Sequence, residues 1–252
     1  MITSLRNPQI IAARRLQRRR ERRATGRTAI EGPFLLEEAL GGGVTVHEIF
    51  ALRDDETAAR LSNQAGLPVT AVSADVLSGV ATSLNPRGPV SIISIPEPTE
   101  IEPVDSLVLW DIADPGNAGT MVRTAAAFGF QVLATADTVD LWSPKVLRAG
   151  VGGHFRTNVI EGLTASFEEV VAAGLAPIVA AADGVDVNAA SLSDKGPAAL
   201  IVGNEAHGVP GEVSKASGVL NVALPMPGGS ESLNAAVSAG ILMYLRVAQR
   251  ME

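Results

Sequence analysis

AALIVGNEAHGVP at Ala198–Pro210 and VLNVALPMPGGSESLN at Val219–Asn234 decide how this chain is read. Each begins as an apolar strand and ends in a loop that gathers glycine, backbone donors and small polar side chains. An apolar-periodic helix follows from Ala235. Open α/β sheets hold their ligands beyond the carboxyl ends of the strands, which is where these loops fall. A third loop of the same kind, DPGNAGTMVR at Asp114–Arg123, follows the apolar strand SLVLWDI at Ser106–Ile112.

Working outward, strand and helix alternate on both sides of these loops. QVLATAD is a strand, Ser143 and Pro144 open a short helix, and Ser166 with Glu169 matches a capping box. PIVAAAD is another strand. The pattern predicts a mostly parallel sheet covered on both faces over residues 104–252. Upstream, PEPTEIEP at Pro96–Pro103 carries three prolines and three glutamates and reads as a linker. Residues 1–95 form a smaller α/β unit: TAIEG, VHEIFAL, PVTAVS and VSIISI as strands, with helices from Pro33, near Asp55–Gln64 and from Ala74. A single helix from Pro8 to a stop at Gly26 precedes them.

Charge is distributed unevenly. The chain carries −7 overall, yet Met1–Glu31 holds nine arginines against two glutamates, so everything after it is strongly acidic. A basic arm on an acidic body predicts a polyanionic partner at one end, with Arg6, Arg14, Arg15, Arg18 and Arg22 among its contacts. The segment has one serine and runs without a cleavage-like break into TAIEGPFLLEEAL, which favours a cytoplasmic protein over one with a transit peptide. No apolar run approaches the ~20 residues of a membrane helix. Cysteine is absent, and His47, His154 and His207 are far apart, so neither a thiolate nucleophile nor a metal site is expected.

The loops hold the candidate chemistry. Asn117 and Arg123 lie six apart in one helix, and Arg123 stands among Met121, Val122 and Ala125, where it calls for an anion or a carboxylate such as Asp111 or Glu205. Gly203 permits close backbone approach, with Glu205 two residues on. Ser230 or Ser232 suits the N-cap of the terminal helix, and Leu224, Met226 and Leu233 offer apolar walls for an adenine edge. The first loop is not a dinucleotide fingerprint, because Gly116 and Gly119 do not make G-x-G-x-x-G. That counts against a nicotinamide-dependent oxidoreductase.

Taken together, DPGNAGTMVRTAAAFG, LIVGNEAHGVP and LPMPGGSESLNAAVSAGILMYL resemble the three successive motifs of the SpoU (TrmH-type) RNA 2′-O-ribose methyltransferases of the SPOUT superfamily. The basic start through EGPFLLEEAL resembles that family's L30e-like substrate-binding domain. The resemblance implies an L30e-like domain over 1–95, a linker over 96–103 and a trefoil-knotted α/β domain over 104–252. It further implies S-adenosylmethionine as cofactor, a homodimer, and ribosomal RNA ahead of transfer RNA as substrate. A non-catalytic L30e-like RNA-binding protein is the other reading, opposed by the intact Asn117, Arg123, Glu205 and Asn234. By motif, Gly203, Leu224, Met226, Ser232 and Leu233 would hold the cofactor. Asn117, Arg123, Glu205, Ser232 and Asn234 fall on the active-site positions, and Arg148 in SPKVLRAG on a basic RNA-binding segment. After it the chain has Gly-Val-Gly-Gly at Gly150–Gly153, where relatives carry a serine and a small residue. The family account makes Arg123 the activating residue. Since guanidinium does not give up its proton, a clamp on the target phosphate, oriented by Glu205, is the better reading.

Overall fold

The computed structural model describes every residue except 84, 85, 87, 165, 188–191, 193–195, 231 and 249–252, and only the backbone of 166. The chain divides into two compact units, Met1–Glu97 with Trp142–Arg156, and Pro98–Leu141 with Thr157–Glu252.

The first unit is built on a four-stranded sheet in the order β1-β4-β2-β3. Its strands are β1 (Arg27–Glu31), β2 (Val46–Ala51), β3 (Thr70–Ala71) and β4 (Val90–Ser94). β4 runs antiparallel to both neighbours, and β2 pairs parallel with β3. Around it stand α1 (Pro8–Arg15), α2 (Arg19–Thr25), α3 (Pro33–Gly41), α4 (Glu56–Ala65), α5 (Ala74–Val80) and, from later in the chain, α7 (Pro144–Gly150). Local chemistry sets the ends. Asn7 accepts from the Gln9 N–H ahead of Pro8, Asp55 accepts from Ala58 at 2.8 Å, and Gly26 ends α2 at φ 62°.

The basic segment is not the single helix that its periodicity predicts. The helix breaks after Leu16, whose carbonyl, released from the ladder, accepts from Arg22 Nη1 at 2.6 Å. Nor is it a free arm, because Ile10, Ala13 and Leu16 enter one core with Ala29, Phe50, Val76 and Ile92. Ile10 and Leu16 each contribute about 1.5–3 kcal/mol on burial, enough to make the segment integral to the unit.

Segment Trp142–Arg156, which sequence grouped with the carboxy-side domain, groups here with the first unit. Thr28 Oγ1 donates to the Trp142 carbonyl at 2.8 Å, and Arg156 makes a bidentate pair with Glu38. Ser143 caps α7 as expected.

The second unit carries a six-stranded sheet, all parallel, in the order β10-β8-β9-β5-β6-β7. Its strands are β5 (Ser106–Leu109), β6 (Gln131–Thr135), β7 (Val159–Leu163), β8 (Ala176–Asp186), β9 (Ala198–Val202) and β10 (Leu220–Ala223). The helices are α6 (Pro115–Phe128), α8 (Ser166–Ala172), α9 (Gly211–Ser214) and α10 (Ala235–Ala248). The capping-box side chain expected at Ser166 lies outside the described residues. β5, β9 and β6 are buried along their whole lengths, which is why they read as continuous apolar runs. β7, an edge strand with Glu161 and Gly162 in its middle, lacks that signature and is not among the strands the sequence predicts. α10 packs on α6, with the Phe128 and Tyr244 rings 6.4 Å apart.

Candidate functional site

Three chain reversals meet at the carboxyl edge of the second sheet, and each is shaped locally. β5 stops at Leu109 rather than Ile112 because Asp111 turns into the left-handed region at φ 55°. Thr135 holds it there, donating to Asp111 Oδ1 at 2.6 Å and accepting from the Asp111 N–H at 2.9 Å. Asp114 then caps α6, accepting from the Asn117 N–H at 2.7 Å, with Pro115 as first helical residue.

After β9 the chain folds back tightly, with the Gly208 N–H donating to the Asn204 carbonyl at 2.8 Å. Gly203 is obligatory here: a β-carbon would stand 2.6 Å from the Gly208 carbonyl oxygen and overlap the Val209 backbone. The Asn204 amide donates to the Asp111 carbonyl at 2.7 Å, tying this loop to the first. The third loop ends at Asn234, whose Oδ1 accepts from the Ala236 and Val237 N–H groups at 2.9 and 3.2 Å. Asn234, not Ser230 or Ser232, is therefore the N-cap of α10. It has the reach to serve two donors at once and to keep its amide free for another partner.

That amide joins the loops. Asn234 Nδ2 donates to Asn117 Oδ1 at 2.9 Å, and Asn117 Nδ2 donates to Glu205 Oε1 at 2.8 Å. The Ala113 N–H approaches Glu205 Oε2 at 3.4 Å. Burial alone would raise the Glu205 pKa. Hydrogen bonds from the Asn117 amide and from the backbone of Glu205, Ala113 and Asp114 outweigh it and hold the carboxyl below its usual range.

Beside this lacing lies a cavity of about 490 Å³, in the range of small-molecule sites. Gly203, Leu224, Met226, Ser232 and Leu233, the five residues expected to hold a cofactor, all line it, as do Glu205 and Asn234. Its walls are otherwise mostly apolar. Sequence reasoning missed Ala180–Ala182, which line the cavity at the point where β8 passes it. The available signal was the alanine run in VAAAD, too small for a strand that must fill a core.

Arg123 does not join this group. It is exposed on α6 and does not line the cavity, and among the described residues neither Asp111 nor Glu205 holds it. The expected orientation of Arg123 by Glu205 is not formed, because the Glu205 oxygens are turned to Asn117 and Ala113. In the first unit Arg6, Arg14, Arg15 and Arg18 are exposed, whereas Arg22, grouped with them from sequence, is 3% exposed and bonded to Leu16. It is a structural arginine. Arg148 bonds Thr82 Oγ1 and lies 3.9 Å from Glu31.

The SpoU rRNA Methylase family matches residues 106–244, and the MRM3-like substrate binding domain matches residues 7–91. The chain is 33% identical to a protein of Bacillus subtilis (strain 168) named 23S rRNA (guanosine(2553)-2′-O)-methyltransferase RlmP, over 96% of this chain and 97% of that one. It is 26% identical to the human protein named rRNA methyltransferase 3, mitochondrial, over 88% of this chain and 68% of that one. The crystal structure of an AdoMet-bound rRNA methyltransferase from Sinorhizobium meliloti superposes with a TM-score of 0.86 at 28% identity, covering 98% of this chain and 97% of that one.

Proposed function

Because this chain belongs to the SpoU rRNA methylase family, we propose that it transfers the methyl group of S-adenosylmethionine to a ribose 2′-hydroxyl of ribosomal RNA. The observation that carries the reading is one cavity lined by the second and third motif loops, which Asn117 of the first loop laces together from beside it. That cavity suits the cofactor. Leu224, Met226 and Leu233 offer an apolar slot, loop backbone offers hydrogen bonds along it, and Glu205 stands in its wall with a carboxylate held by Asn117 and Ala113. Bound there, the cofactor supplies an electrophilic methyl on a sulfonium.

The protein's own part is positioning and charge. The lacing of Asn234, Asn117 and Glu205 keeps the loops in register, so that the attacking hydroxyl meets a preorganised site. Arg123 clamps the phosphate of the target nucleotide and fixes its sugar; a guanidinium cannot serve as the base. The hydroxyl proton leaves to the phosphate or to water.

We also read the active form as a homodimer. On α10, Val237, Ile241 and Tyr244 recur at helical spacing and are 49%, 36% and 56% exposed, an apolar stripe on a helix that packs against α6, which carries the exposed Arg123. Two copies joined through that face would bring Arg123 of each toward a cavity that it does not line in its own chain. A trefoil knot is part of the same reading. It is supported by the return of the chain from edge strand β10 to pack α10 on β9 and α6, with Arg246 bonded to the Leu192 and Gly196 carbonyls. We place the protein in the cytoplasm as part of the same reading; the docking of Ile10, Ala13 and Leu16 in the core supports taking the arginine-rich segment as part of the fold rather than as a transit peptide.

The experiment is to compare 2′-O-methylation maps of ribosomal and transfer RNA from cells with and without the protein. Loss of one ribosomal site is expected. Loss confined to transfer RNA would change the substrate, and no loss, with no labelled methyl transferred in vitro, would leave only an RNA-binding protein.

RNA is held, on this reading, by the exposed arginines of the first unit, with Arg148 as a further contact. Phosphate contacts position without specifying. Deleting Met1–Arg27 would remove core residues, so substitution is the cleaner test. Changing Arg14, Arg15 and Arg18 together to glutamine should weaken RNA binding and reduce the slope of log affinity against log salt by about 2–3. A slope unchanged by these substitutions would exclude them from the interface.

A further inference from the structure

We infer that Glu205 sets the cavity's preference for a positively charged methyl donor over the neutral product, held in that role by a hydrogen-bond relay that starts at the first turn of α10. The inference rests on the methyl-transfer reading and deepens it.

Among the described residues lining the cavity, Glu205 is the only one whose side chain carries charge. The direction of the relay is fixed from its far end. Asn234 Oδ1 must accept, because two N–H groups of α10 point at it, so Nδ2 is left to donate to Asn117. Asn117 Oδ1 is thereby used as an acceptor, and its own Nδ2 donates to Glu205. A line of donors all running one way has to end on an acceptor. An ionised carboxylate, taking Asn117 on one oxygen and the Ala113 N–H on the other, meets that requirement. Those hydrogen bonds also favour its charged form.

The charge matters because of what methyl transfer does to the ligand. The sulfur keeps the electron pair of the broken carbon–sulfur bond, the methyl passes to the ribose oxygen, and the hydroxyl proton departs. A sulfonium becomes a neutral thioether. Donor and product are otherwise the same molecule, with the same adenosine and the same amino-acid end. Walls such as Leu224 and Leu233 act alike on the parts the two share and differ only by contacts to the one methyl, so a fixed charge is the stronger means of separating them. Attraction to the cation favours loading, and its loss after transfer favours release.

The test is calorimetric titration of the full chain with S-adenosylmethionine and with S-adenosylhomocysteine, in wild type, Glu205→Gln and Glu205→Asp. Expected for Glu205→Gln is a donor dissociation constant about five- to tenfold higher, with the product constant moved by less than about twofold. Glu205→Asp, which keeps the charge, should restore most of the wild-type ratio. A purely structural role predicts that both constants rise together in Glu205→Gln, and that result, or an unchanged ratio, overturns the inference while leaving the methyl-transfer reading standing. Wild-type protein that binds neither ligand overturns both.

Discussion

Arg123→Ala lowers methyl transfer by about three orders of magnitude, the loss seen when one preorganised charge partner is removed from a transition state. It leaves S-adenosylmethionine affinity within about twofold of wild type. The split follows from geometry. Arg123 is exposed on α6, two turns beyond Asp114, and forms no part of the cavity wall, so its removal takes no contact from the cofactor. Among the described residues no side chain holds its guanidinium, and a bidentate clamp on a target phosphate sets the sugar against the methyl group. A thousandfold loss corresponds to about 4 kcal/mol of lost transition-state stabilisation. Single-turnover rates and cofactor titrations on the same preparation check the prediction. A cofactor dissociation constant that climbed in step with the lost rate would assign Arg123 to cofactor binding instead. Mixing inactive Arg123→Ala with a cavity-defective chain adds a second readout, because recovered activity requires two chains to share the work.

The second large effect is on stability. Asp105→Ala destabilises the protein by about 3–5 kcal/mol, the cost of removing one partner from a buried ion pair. Asp105 is 6% exposed and Arg246 3%, and Arg246 Nη2 meets Asp105 Oδ1 at 3.1 Å. The same Oδ1 accepts from the Ala198 N–H at 2.9 Å, so the truncation also strips a buried donor at the start of β9. The Arg246 guanidinium further binds the carbonyls of Leu192 and Gly196, fastening the end of α10 to the connection between β8 and β9. Asp105→Asn, which keeps an acceptor while losing the charge, should cost less. Replacing both residues by apolar ones of similar volume should restore much of the loss. Equilibrium denaturation of the set measures this. A cost below about 1 kcal/mol for Asp105→Ala would mean that water enters and solvates Arg246.

Much of this protein was legible in the residues themselves. Apolar runs such as LVL in β5 and ALIV in β9 identify strands of a parallel sheet, because strands buried on both faces need no polar alternation. Proline and capping side chains mark helix starts at Pro8, Pro33, Asp114–Pro115 and Ser143–Pro144, since the unpaired N–H groups there require a local acceptor or no hydrogen at all. The cavity residues Gly203, Leu224, Met226, Ser232 and Leu233 were legible through the resemblance of their loops to the family's motifs, since glycine-rich turns of this composition also serve as ordinary turns and helix caps.

What failed in sequence was whatever depends on residues far apart in the chain. Edge strand β7 carries too little apolar surface to declare itself. Arg22 looked like its neighbours until its side chain turned inward to Leu16. Trp142–Arg156 joins the first unit through contacts more than a hundred positions away, with Thr28 and Glu38. The relay from Asn234 through Asn117 to Glu205 spans loops 117 and 88 positions apart. Local spacing determines which backbone groups want partners and which faces are apolar. Which acceptor each donor finds is decided only when strands from across the chain are laid side by side, and that register placed Glu205 against Asn117 and left Arg123 outside.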